Sequence, residues 1–443
     1  MDHEEVEERL LQEDVDDRGA IPTDRCNGVY VIFCILGLGS LLPWNFFITA
    51  KEYYLFKLRN LTLPTDDIDN PQMQTEMQTM FEGSVAAAAT LPNLIFNFLT
   101  AVFTQKLPLK GRMVVSCLTI LVMFVFTLSL VNIKTDTWQL PFFVTTLVTV
   151  VILSAGSSVF TASLFGLAGI FPPRYMQAAV SGQAVGGLFA AVANLLTLVA
   201  GSTQLHSAFA YFTAATLVSV VTLVSYILLY YLDYSKFHLE MNVTIQEDGF
   251  AESSHSAGSL SQRSSSTFPV LKKIWREGLA VFITFAVSLS CFPAICSSIT
   301  SQHKDSSEWS GKYFTVIVCF LLFNLGDYAG RIVSGQFQWP KISQSRLLLV
   351  VSLVRVAFIP LLMLCNAQPR AHLPVVFTSD VYPIVFILLL GLTNGYLCTL
   401  CMMYGPKKVM MEYAEFAGAS MSVCITIGLA SGSLISLLLV KML

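Results

Sequence analysis

Apolar stretches of about 20 residues recur along this chain, each closed by a short polar or charged connection. A stretch of that length crosses a bilayer as a helix, because a helix satisfies its own backbone hydrogen bonds where water is absent. The pattern predicts eleven spans, at 28–50, 81–104, 113–133, 140–168, 175–200, 207–232, 278–299, 313–335, 347–365, 381–404 and 413–440. The fourth and the eleventh are long enough to tilt or bend. The predicted fold class is therefore an all-α integral membrane protein.

The pattern breaks once. Residues 233–270 interrupt it, and the part from Ser253 to Ser266 is Ser-rich, polar and aperiodic, which predicts a disordered linker. The expected organisation is an acidic cytoplasmic tail at 1–27, a six-helix bundle at 28–232, a cytoplasmic Ser-rich linker at 233–277 and a five-helix bundle at 278–443. Six spans and five, joined by a long central connection, suggest two pseudo-repeated halves in a major-facilitator-like arrangement.

Basic residues set the orientation, because they are retained on the cytoplasmic side. With the N-terminus inside, the inner connections hold most of them, including Lys106, Lys110, Arg112, Arg174, Lys236, Lys272, Lys273 and Arg276. The outer connections hold fewer, and these are diluted by acids such as Asp66, Asp67 and Asp69. Asn60-Leu61-Thr62 is a glycosylation sequon in the outer stretch after the first span. A second sequon, Asn242-Val243-Thr244, falls on the cytoplasmic side and is expected to stay unmodified.

Composition narrows the function classes. The 443 residues are 54% hydrophobic and only 12% charged, with a formal net charge of −3. Soluble domains carry about twice that charged share. A nucleic-acid partner would ask for a basic face, so none is expected; the lipid bilayer is the expected surrounding. Most of the ten cysteines lie within spans, so no disulfide framework is expected. The six histidines fall in tails, loops or span ends, which leaves no metal site in the membrane. No cofactor-binding motif is present, nor any convergent catalytic set, so an enzyme is not expected.

Ionisable residues deep in a span are costly, and they line a pathway or pair with each other. Asp327, Arg331 and Arg355 stand out. Asp327 and Arg331 are spaced i,i+4 with the acid first, the favourable order on a helix face. Asn324 and Phe320 share their stripe, which predicts a polar wall facing a cavity. The alternative is a buried ion pair that locks helices together, and one pair can serve both ends as a gate. In the first span, Leu41, Trp44 and Ile48 share a face next to Pro43; Trp44 there is either a cavity wall or an interfacial anchor. The small polar residues of the fourth span, Ser154 to Ser163, admit tight packing or hydrogen bonding to a cavity equally. Gly182 and Gly186 have the G-x-x-x-G spacing of close helix contact.

Several segments together resemble the equilibrative nucleoside transporters. They are Leu41 through Phe47 (LLPWNFF), Ser163 through Gly169 (SLFGLAG), Ser181-Gly182-Gln183, Phe323-Asn324 with Asp327 and Gly330-Arg331, Asn394-Gly395-Tyr396-Leu397, and Gly405-Pro406-Lys407-Lys408. They run in order through nearly the whole membrane region. The resemblance implies eleven spans on the major-facilitator fold and nucleoside substrates. It implies that Leu41 and Trp44 line the substrate cavity and that Asp327 and Arg331 hold the ribose hydroxyls, with Asn324 and Phe320 beside them. It also implies that Gly182 is a glycine needed for transport. The chemistry is apt: a carboxylate accepts from vicinal hydroxyls, a guanidinium donates to sugar oxygens, and an indole stacks on a flat base. Plasma-membrane members carry Gln where this chain has Thr161, which is shorter and offers no amide, so base selectivity is not carried over.

Residues 48–60 and the Ser-rich fourth span look most like the lysosomal member of the family. Leu10-Leu11 in the acidic tail resembles a dileucine signal for sorting adaptors, with Val6 where the usual spacing has an acid. A lysosomal or late endosomal membrane is the expected location, with the plasma membrane as the alternative. Glu412 and Glu415, opening the last span, are then the acids placed to sense pH. The expected function is facilitated diffusion of nucleosides such as adenosine and uridine by alternating access, open to proton influence, with nucleobases as further cargo. The rivals are a same-fold carrier of nucleobases or organic cations, and a receptor or scaffold without flux.

Overall fold

The computed structural model describes residues 22–61, 75–200, 204–255, 267–302, 309–370 and 372–443. Among them the chain is helical, apart from two isolated bridges, Ile299 with Ala367 and Cys365 with Phe377, which tie two connections together. The long helices are α1 Gly28–Thr49, α2 Glu76–Phe103, α3 Leu109–Val131, α4 Gln139–Ile170, α5 Pro173–Ala200 and α6 Gln204–Leu229. They continue with α7 Thr267–Cys291, α8 Thr315–Gln336, α9 Ile342–Met363, α10 Val381–Lys407 and α11 Ala414–Met442.

Among the described residues, ten helices are long and apolar enough to cross a membrane, α2 through α11. The eleventh expected span falls on α1, which has 22 residues and a shorter described apolar stretch, Arg25–Leu41. Side chains facing outward are the mark of the medium. Val115, Leu217, Val354 and Leu434 are 61–67% exposed. Water would oppose such a surface, and hydrocarbon does not. Inside, small and hydroxylic residues are buried instead, Ser163, Thr284, Ser288 and Thr399 among them. Small side chains let backbones approach closely where no hydrophobic drive separates helix from lipid. Thus Gly326 and Gly330 of α8 lie against the α10 backbone, and Gly428 and Gly432 of α11 against α7.

Helices α1 to α6 pack on one another, as do α7 to α11. The two sets meet through α2 and α4 against α11, and through α5 against α8 and α10. Two expectations change. The stretch after α6 is not irregular throughout: Asp233–His255 is a helix. Its Phe237 and Met241, one turn apart, are buried, and an apolar stripe of that kind docks a helix. The helix α7 begins at Thr267, well before the expected start at 278. Lys272, Lys273 and Arg276 made its first turns read as a loop, yet Val270 and Ile274 on the opposite face are buried. The expected linker at 233–277 is therefore helical at both ends. Its Ser-rich centre, 256–266, lies outside the described residues.

Candidate substrate site between the two halves

The stripe on α8 forms as its spacing predicts. Arg331 Nε donates to Asp327 Oδ2 at 2.9 Å, and both side chains are nearly closed off, 6% and 7% exposed. Two charges removed from water persist only with further partners. Asp327 Oδ1 accepts from Asn394 Nδ2 of α10 at 2.7 Å. Arg331 also reaches across to the other half, where a terminal nitrogen donates to the Val180 carbonyl of α5 at 2.5 Å. Gln177 of α5 donates in return to the Arg331 carbonyl at 3.3 Å. The pair thus stands at the seam between the halves, joined to both.

One turn towards the other end of α8, Asn324 is half-buried, and its Oδ1 faces Gly187 of α5. Above it the helix is wound wider, as a π-helix over Thr315–Leu321, which includes Phe320. Such windings recur where a helix serves a site. Phe320 is half-buried and meets the Phe292 ring edge-on at 5.7 Å. Four residues of the predicted stripe therefore lie on one face of α8, with Asn324, Asp327 and Arg331 turned to neighbouring helices.

The remaining predicted residues divide. Leu41 of α1 is half-buried, whereas the side chains of Trp44 and Ile48, on the same helix, lie outside the described residues. Thr161 of α4 is half-buried, a turn beyond Ser157, whose hydroxyl donates to the Ser40 carbonyl of α1 at 3.0 Å. Gln183 of α5 donates to Ser40 Oγ at 2.9 Å, so α1, α4 and α5 share a polar cluster in the first half. Gly182 meets α1, not α8: any side chain there would run into the Cys34 carbonyl. Gly186 faces Leu38 of the same helix, which is the close helix contact of the G-x-x-x-G spacing. Asn60 lies just past the short helix Lys51–Lys57 and is half-buried; Leu61 beside it is exposed, and Thr62 is outside the described residues. Leu10 and Leu11 are also outside them. Glu412 is half-buried in the turn before α11. Glu415 pairs with Arg112 of α3.

That last pair belongs to a second layer of contacts, below the α8 stripe. Asn97 of α2 donates to Ser422 and Thr426 of α11 at 3.1 and 3.0 Å. Gly166 and Gly169 near the end of α4 lie against Glu415 and Ala414, and Gly418 against Phe165. Among the described residues, the hydrogen bonds and ion pairs joining the halves run from the level of the stripe to this end. It is the end that carries the basic connections. Within the second half, Glu277 of α7 is buried and pairs with Lys408 after α10, which also donates to Ser345 of α9.

Sequence reasoning missed Arg112, Glu277 and Lys408 as paired groups: the two bases at span ends read as orienting charges, and Glu277 was not singled out. It also missed Asn394, Ser288 and Gln183 as site polar groups. Asn394 and Gln183 fell within the recognised segments, but a neutral amide in a span gives no signal of its partner.

Comparison with known proteins places this arrangement. Solved structures of the major facilitator superfamily transporter FucP superimpose over 93% of this chain and 96% of theirs. One is described as in the outward conformation, with a TM-score of 0.55 and 12% identity. The fucose:proton symporter of E. coli in its N162A form gives 0.52 and 10%. These likenesses, with ten apolar helices among the described residues long enough to cross a membrane, define a multi-pass helical protein of the major-facilitator fold. At the level of sequence, the family described as nucleoside transporter matches residues 147–441. Equilibrative nucleoside transporter 3 of Rattus norvegicus is 40% identical, covering 94% of this chain and 90% of its own. Equilibrative nucleoside transporter 1 of Homo sapiens is 35% identical, covering 94% and 98%. The chain belongs to the equilibrative nucleoside transporter family.

Proposed function

We propose that this protein carries nucleosides across a membrane by facilitated diffusion, the two bundles rocking about a site at the α5–α8–α10 seam. The observation that carries the reading is the Asp327–Arg331 pair. A buried carboxylate there takes one donor on each oxygen and keeps lone pairs to accept vicinal hydroxyls. Arg331 supplies donors for the sugar oxygens. Leu41 and Trp44 of α1 serve as the apolar and aromatic side of the cavity, and Thr161 as the short neighbour of the base. The arrangement corresponds to a carrier closed at its cytoplasmic end, with Arg112–Glu415 and the α4–α11 glycine contacts as the closed layer. Opening that layer while the opposite end closes would deliver the solute.

The bundles are assigned as 28–232 and 267–443, with the tail 1–27 and the central segment on the cytoplasmic side. Residues 48–60 and the Ser-rich α4 favour a lysosomal or late endosomal membrane, reached through adaptors acting on Leu10-Leu11. Asn60 is the glycosylation site on the opposite face.

Purified protein in lipid vesicles tests the reading. Saturable uptake of labelled uridine or adenosine is expected, and its absence from correctly folded carrier would overturn the proposal. Asp327→Asn is expected to abolish uridine uptake without lowering the amount of folded carrier. Loss of folded protein alone would support a purely structural ion pair.

A further inference from the structure

Arg355 is the third ionisable residue set deep in a span, and nothing above uses it. It lies in α9, where the helix tightens to a 3₁₀ turn over Arg355–Ala357, and only 2% of it is exposed. Its Nε donates to Thr393 Oγ1 at 3.0 Å. One terminal nitrogen donates to the Thr284 carbonyl at 2.6 Å. The other donates to the Leu390 carbonyl at 3.1 Å and to Ser288 Oγ at 2.8 Å. All these partners are neutral. Among the described residues, no carboxylate forms an ion pair with it. A buried cation held only by neutral groups is an expensive feature to keep for packing.

The contact with Ser288 begins a chain. Ser288 Oγ donates to Asn394 Oδ1 at 2.7 Å. Asn394 Nδ2 donates to Asp327 Oδ1 at 2.7 Å. Asp327 Oδ2 takes Arg331 Nε. The chain crosses α9, α7, α10 and α8 in turn, wholly within the second half. Its direction is the same read from either end. Arginine only donates. A hydroxyl that accepts from Arg355 has its single proton left to give, and it gives it to Asn394. An amide whose oxygen takes that proton turns its NH2 group towards Asp327. Turned over, the amide would set its oxygen against the carboxylate. A donor-only cation at one end and an acceptor-only carboxylate at the other therefore hold Ser288 and Asn394 in one arrangement, in which Asp327 meets a donor on Oδ1.

We propose that Arg355 is a positioning residue of the solute site: through Ser288 and Asn394 it fixes the orientation of the Asp327 carboxylate and so sets the carrier's preference for solutes with vicinal hydroxyls. The proposal rests on the reading of Asp327 as the acceptor for ribose hydroxyls. It adds that selectivity at the sugar is held by a residue that never touches the solute.

The test is uptake of labelled uridine and 2′,3′-dideoxyuridine by full-length carrier in vesicles, each normalised to folded protein. Arg355→Gln and Ser288→Ala are expected to raise KM for uridine about tenfold, while KM for the dideoxy compound stays within about twofold. Arg355→Lys, which keeps a donor-only cation, is expected to recover part of the preference. Ser288→Ala removes a single oxygen, so it remains decisive if Arg355→Gln does not fold. Equal losses for both solutes, or an unchanged preference in Ser288→Ala, would overturn the proposal. Asp327→Asn separates the two layers. If it keeps the preference for uridine, the ribose reading falls and the relay with it. If it loses the preference while Ser288→Ala keeps it, only the relay falls.

Discussion

At the scale of single residues, the site is held by groups with no room to move. A methyl group built on Gly395 would run into the Asp327 carbonyl oxygen, so α8 and α10 touch backbone to backbone beside the carboxylate. Gly395→Ala is expected to destabilise the carrier by about 1–3 kcal/mol through overpacking. A thermal-shift measurement on purified protein in detergent reads this as a lowered Tm, and an unchanged Tm would refute the close contact. The stripe itself was legible in the sequence, because i,i+4 spacing and charge order are local properties. The relay behind it was not. Ser288, Asn394 and Arg355 are separated from Asp327 and from one another by many residues, and only the tertiary fold says which faces meet. Arg355 announced itself as a charge in an apolar span, but its partners are neutral and carry no complementary sign to search for. Gly182 was legible as a small residue with two meanings, and its contact with Cys34 speaks for helix packing at that position.

At the scale of elements, hydropathy located the spans well, because lipid imposes one length and one polarity on each. It failed at Asp233–His255 and at the start of α7, where helices leave the apolar layer and hydropathy no longer marks them. The first of these helices docks on the bundle through a ring cluster. His238 packs against Tyr234 at 4.7 Å and Phe171 at 5.2 Å between ring centres. On the other side, Asn242 donates to the Met411 carbonyl at 3.2 Å, so the helix spans from one half to the other. Burial, with Lys407 nearby, pushes the His238 imidazole down to about 4 from an ordinary 6.5. A base held below its free value binds fewer protons when docked than when released. The docking is then fully stabilised above about pH 6.5 and loses that contribution as pH falls towards about 4. Amide hydrogen exchange over Asp233–Asn242 is expected to quicken across that window, and His238→Phe to flatten the dependence. In the second half, Glu277 is buried outright, and removing one partner of such a pair strands the other. Glu277→Leu is expected to cost about 3–5 kcal/mol, with the double change Glu277→Leu with Lys408→Met recovering much of it in the same melting assay.

At the scale of the whole molecule, two bundles meet through different chemistry at different depths. At the stripe they meet through a shared guanidinium, and nearer the basic connections through an ion pair and glycine-lined backbones. The Arg112–Glu415 pair is the charged contact of the lower layer, and it bridges helices that must part for that end to open. Glu415→Gln is expected to shift the population towards opening there. Spin labels at Lys106 and Lys407, both exposed and on opposite halves, read this as a longer distance component; an unchanged distribution would assign the pair to stability alone. The pairing in this second layer was not visible in the order of charges along the chain: Arg112 looks like an ordinary flank of a span, and Glu415 stood out only as an acid opening the last one.

Arg331 offers its donors to two clients, the Asp327 carboxylate beside it and the Val180 carbonyl across the seam. On the proposed reading, a cargo that drew Arg331 away from Val180 would loosen the strut that joins the bundles at this level. An empty site would then stay braced across the seam. A compound that fills the cavity without drawing on Arg331 would leave that brace intact, and would be a blocker for the same reason that it is not a passenger.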